Sequence, residues 1–127
     1  MPAMLLAWLP ALGMMASIFL LSSLPASRLP FFGDWDILIK KSAHAIGYAL
    51  LGIAYFGALP RRLSPGSRWA IALLMAVLFA LSDEFHQSFV EGRTSALRDV
   101  AIDGAGAAVA LSLRAVYSSN SSSSSSA

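Results

Sequence analysis

Residues 76–106 read AVLFALSDEFHQSFVEGRTSALRDVAIDGAG. An apolar run ends in Asp83, Glu84, His86 and Gln87, turns through Arg93, and re-enters apolar sequence carrying Asp99 and Asp103. Side chains of these types can grip an anion through a planar guanidinium fork, move protons, or hold a metal ion. An aspartate at the centre of a membrane helix costs roughly 2.5–3.5 kcal/mol on insertion scales, so acids in this setting need partners, water or a purpose. A second polar set lies upstream in KSAHAIGY, residues 41–48. At about 100° per helical residue, Lys41, His44 and Tyr48 fall within an arc of about 60°. Asp83, His86 and Gln87 share a face of about 100° with Glu84 at its edge, and Asp99, Asp103 and Gly106 form a third narrow stripe.

The elements that must carry these stripes follow from composition. Of 127 residues, 57% are hydrophobic and 13% charged, and the mean hydropathy is +0.66. Those values exclude an ordinary soluble domain and indicate one integral membrane domain. Cysteine is absent, which excludes a disulfide framework and thiolate metal sites. The net charge of +2 is spread along the chain with no basic stripe, so nucleic acid is not an expected partner. Residues 4–22, uncharged and long enough to cross about 30 Å of hydrocarbon, predict a first span that Pro10 kinks rather than ends. The competing signal-peptide reading lacks the basic residues that should precede its apolar core.

Residues 23–36, with Pro25, Pro30, Gly33 and three aromatics, predict a loop along the interface. Residues 37–59 predict the second span, with Ala43 and Gly47 able to admit another helix closely. Residues 60–68 predict an arginine-bearing turn, 69–87 the third span, and 88–95 a turn in which Gly92 takes a positive φ. Residues 96–117 predict the fourth span, with Ser95 as its N-cap and Asp99 in its first turn. The expectation is an all-α, antiparallel four-transmembrane-helix bundle over residues 1–117. The Ser-rich residues 118–127 are expected to form a disordered tail.

Four antiparallel spans place the first and third connections on one face. All seven acids lie on that face or just inside it. If Lys41 and Arg93 are engaged in a polar cluster, the remaining bases favour the Arg61 and Arg62 side as cytoplasmic, with both termini inside. The same arithmetic brings the start of the second span, the end of the third and the start of the fourth to one membrane level. Lys41, His44, Tyr48, Asp83, Glu84, His86, Gln87, Arg93, Asp99 and Asp103 are therefore expected to converge on a polar chamber open to the outer face.

The ordered pattern KxxHxxxY, then DExHQxFxxGRxxxxxD with a further acid and glycine, resembles the VanZ-like family of bacterial integral membrane proteins. The resemblance covers roughly residues 15–115 and carries the family's polar positions onto Lys41, His44, Tyr48, Asp83, Glu84, Gln87, Arg93 and Asp99. Asp103 departs from the asparagine often expected there, and Glu91 from a common proline. The family's founding member is associated with teicoplanin resistance and other members with the cell envelope, which implies the bacterial inner membrane. On this basis the chamber is expected to bind an anionic envelope lipid, a lipid-linked headgroup or a glycopeptide drug. Lys41 and Arg93 would hold the anion. Two alternatives stay open. One is an intramembrane hydrolase with Glu84 or His86 as base, including a metal-assisted form using His44, His86, Asp83 and Glu84; the other is a proton-coupled transporter. No GxSxG elbow is present, EFH is not HExxH, and the pattern specifies no cofactor and no metal. Small residues Ala101, Gly104, Ala105 and Ala108 could form a homo-oligomer face or close the chain's own bundle.

Overall fold

The computed structural model describes residues 2–93 and 96–125, with no side-chain description for Pro2 or for residues 118–125. It is all-α: α1 (Pro2–Ala7), α2 (Leu9–Ser22), α3 (Asp36–Ala58), α4 (Pro65–Gln87) and α5 (Leu97–Ser125), with short 3-10 turns at Ala26–Arg28 and Gly33–Trp35. Among the described residues α3, α4 and α5 contain spans long and apolar enough to cross a membrane, and α2 is a shorter apolar helix. Their outward faces carry exposed Leu38, Ile46, Leu74, Leu78, Val109 and Leu113. That is the dress of helices solvated by lipid rather than water.

The first span is divided more sharply than the expected kink. Pro10 occupies the opening turn of α2, where its missing N–H costs nothing, and Trp8 caps the break in a helical conformation. The helix is interrupted at Trp8 while the backbone there stays helical. α4 begins earlier than its apolar pattern suggests. The Ser64 side chain accepts the Ser67 amide at 3.2 Å and Pro65 presets the first turn, so the expected turn is shortened from its far end. α5 runs on to Ser125, where a disordered tail was expected from residue 118. Propagating an established helix fixes one residue for one hydrogen bond, and serine opposes that only mildly. Residues 126–127 and the expected cap Ser95 lie outside the described residues.

α3 is the central element and packs against α2, α4 and α5. Its buried stripe of Tyr48, Leu51, Tyr55 and Phe56 meets Ala72, Ala76 and Ala80 of α4 and Ala107 and Leu111 of α5. Alanines four apart put a shallow groove on α4, into which the aromatics of α3 settle. α3 and α5 approach closely at two glycines. A Cβ added at Gly106 would fall 2.7 Å from the Ala45 carbonyl oxygen, and one at Gly52 would fall 3.3 Å from the Ala107 Cβ. Of the pair expected to admit a helix, Gly47 instead faces Ile18 of α2 across an ordinary 3.9 Å, and Ala43 lines a cavity. Gly104 turns toward Val77 of α4, which places it inside the chain's own bundle.

Candidate functional site

The buried stripes of α3, α4 and α5 are apolar at one end and become polar at the other without changing face. On α4 the sequence Ala72, Ala76, Ala80 continues as Asp83, Glu84 and Gln87, all buried. On α5 Ala107 is preceded on the same face by buried Asp103, and on α3 Tyr48 is preceded by His44 and Lys41. Helical periodicity thus converts three segregated sequence patterns into one convergent group.

At its centre the His44 ring lies between two buried aspartates. Nδ1 is 2.9 Å from Asp103 and Nε2 is 3.0 Å from Asp83 Oδ2. Tyr48 donates its hydroxyl to the same Asp83 oxygen at 3.1 Å, and buried Ser22 lies beside the Asp83 carboxylate. Tyr48 and Asp83 accordingly sit behind the imidazole and fix its plane. Nearer the helix ends Lys41 pairs with Asp99, and Lys40 pairs with Asp36 at 2.9 Å. One oxygen of Glu84 accepts the Ala96 backbone amide at 3.0 Å. That bond satisfies a donor at the mouth of α5 and ties the end of α4 to it.

In front of this group opens a cavity of about 480 Å³. Its polar floor is Lys41, His44, Glu84, Gln87, Asp99 and Asp103, with Arg93 at its edge. Its walls are apolar: Met14, Ile18 and Leu21 from α2, Leu29 from the first connection, and Ile37 and Ile102. The two connections that form its rim touch each other. The Ala26 amide donates to the Glu91 carbonyl at 3.2 Å. Gly92, at φ +74, lets the turn pass so near that a Cβ there would stand 2.9 Å from the Ala26 Cβ.

Of the residues singled out by spacing, the structure brings Lys41, His44, Glu84, Gln87, Arg93, Asp99 and Asp103 to the cavity surface, with Tyr48 and Asp83 directly behind. His86 goes elsewhere. Its ring stacks on Phe19 of α2, centroids 4.5 Å apart and planes 24° from parallel, and it does not line the cavity. The face shared by Asp83, His86 and Gln87 is wide enough to contact two neighbours, and α2 claims its far edge. Spacing did not single out Ser17, Ser22, Asp36 or Lys40, all at the cavity. For Ser22 the available signal was a hydroxyl at the end of an otherwise apolar span. For Asp36 and Lys40 it was acid and base four apart at a helix start.

The VanZ/LLP1 family profile matches residues 7–117. The chain belongs to the VanZ/LLP1 family. The match begins at the end of α1 and takes in every helix and connection that shapes the cavity, so the family's extent and the site's scaffold coincide. No curated protein and no solved structure matches the chain.

Proposed function

We propose that this VanZ/LLP1 membrane protein binds an amphiphile with an anionic headgroup in the cavity, and thereby contributes to tolerance of teicoplanin-type drugs at the bacterial envelope. One observation carries the reading. Among the described residues, every charged side chain lining the cavity has a partner except Arg93. Lys41 has Asp99, Lys40 has Asp36, His44 has Asp103, and Glu84 has the Ala96 amide. A half-buried guanidinium without an acid is a ready donor fork for a phosphate or carboxylate. The apolar walls from α2 and Ile102 suit the chain of such a ligand, and the paired acids keep Lys41 oriented without neutralising Arg93. In this reading the protein sits in the inner membrane with both termini cytoplasmic and the cavity facing outward, where envelope lipids and drugs are met.

The test is expression in a susceptible bacterium, comparing wild type, Arg93→Ala and Glu84→Gln at matched membrane levels. Wild type is expected to raise teicoplanin tolerance and Arg93→Ala to return it to the vector level. Purified wild type in detergent micelles, offered an anionic phospholipid or the drug, distinguishes which of the two fills the cavity. Equal tolerance in all three strains overturns the proposal.

A further inference from the structure

We propose that the floor of the cavity is a binding site for one divalent transition-metal ion of the zinc or manganese type, held by His44, Glu84 and Asp103. Nδ1 or Nε2 of His44 and one carboxylate oxygen from each acid lie within 4.8 Å of one another. Both acids are buried, and they come from different helices, so they are not a solvated acidic patch. Metal–ligand bonds of about 2.0–2.2 Å need donors somewhat nearer than this, which a small rotation of the Glu84 side chain supplies. Glu84 is free to make it with the oxygen that the Ala96 amide does not occupy.

Two further features point to a cation. Asp103 is 1% exposed and presents both oxygens to the same ring nitrogen at 2.9 Å. The two oxygens share that one ring nitrogen, so at most one weak, bifurcated N–H is divided between them, and Asp103 Oδ2 has no hydrogen bond of its own among the described residues. A buried, unsatisfied carboxylate oxygen is costly unless something positive reaches it. The second feature is the support of the imidazole. Metal-bound histidines characteristically donate their other ring N–H to a carboxylate, which sets tautomer and ring plane. Here Nε2 faces Asp83, itself held by Tyr48. An ion at Nδ1 would take the place of the proton now shared with Asp103, with the open cavity on its remaining side. One imidazole and two carboxylates suit zinc or manganese better than the softer copper(I) or the all-oxygen preference of calcium.

The inference goes beyond anion binding and does not need it, because the probe is the metal alone. Full-length protein, purified in detergent and stripped with chelator, is titrated with Zn²⁺ and with Mn²⁺. About one ion per chain is expected. Glu84→Gln and Asp103→Asn are each expected to weaken uptake at least tenfold. Asp83→Asn, which acts through the histidine, should weaken it about 10–100-fold, and Asp34→Asn, exposed and away from the cavity, should not alter it. X-ray absorption on the loaded wild type needs no variant to fold: one imidazole with oxygen donors supports the site, and two imidazoles overturn it. Absence of stoichiometric uptake by folded wild type, or uptake undiminished in both Glu84→Gln and Asp103→Asn, also overturns it. Loss of drug tolerance in Arg93→Ala bears only on the earlier reading.

Discussion

Two kinds of polar residue share this cavity, and substitution should separate them. His44 stands between Asp83 and Asp103, so removing the ring leaves two buried carboxylates facing each other with nothing between. Breaking a buried pair costs about 3 kcal/mol or more, and His44→Ala is expected to lower the thermal unfolding midpoint sharply in detergent. Tyr48→Phe removes one buried hydrogen bond to Asp83 and should cost about 1–2 kcal/mol. Arg93→Ala should change stability by no more than about 0.5 kcal/mol, the usual range for a side chain outside such networks, while abolishing whatever the guanidinium binds. Thermal unfolding of the three variants side by side checks this. A large loss in Arg93→Ala would mean that the guanidinium has a structural partner. The polar residues on α3 were legible because their spacing repeats the helical period. His86 shows where spacing stops: a helix face says which residues point together, and only the neighbours say into what.

At the scale of elements, the bundle is set by where backbone can approach backbone. Gly106→Ala is expected to destabilise by about 1–3 kcal/mol, because its new Cβ meets a carbonyl oxygen at 2.7 Å that cannot rotate aside. Gly52→Ala should cost less, since its nearest neighbour is a methyl group at 3.3 Å. Unfolding midpoints of the two variants test that order. Separation of α3 from α5 would also pull Lys41 from Asp99 and His44 from Asp103, so Gly106→Ala should impair the site it does not touch. At the opposite end Arg68 holds the last turn of α3. Its guanidinium donates to the Phe56 carbonyl at 2.7 Å and lies 4.2 Å above the Phe56 ring, where a cation meets the free carbonyls and negative end of the helix. Small residues in the sequence announced that helices would pack closely. Which of them would do so depended on helix rotation, a property of the assembled bundle.

For the whole molecule, absence of cysteine makes orientation directly testable. Single cysteines replacing exposed Phe89 at the cavity end or Ser64 at the other can be probed in intact cells with a membrane-impermeant maleimide. Labelling at Phe89→Cys and protection at Ser64→Cys is the expected pattern; the reverse places the cavity in the cytoplasm and removes the envelope from the proposal. Composition, apolar run length and three polar stripes were enough by themselves to determine an all-helical membrane protein with charge concentrated toward one end, because hydrocarbon solvent forces backbone satisfaction within each span. They also sufficed for the family, since ordered polar positions in an apolar chain are a distinctive pattern. Tertiary structure alone decided that Arg93 has no acid partner among the described residues, that Asp83 buttresses the imidazole while Asp103 faces the cavity, and that α2 supplies the apolar wall. Those outcomes depend on the relative rotation and crossing of helices far apart in sequence, and helical periodicity carries no information about either.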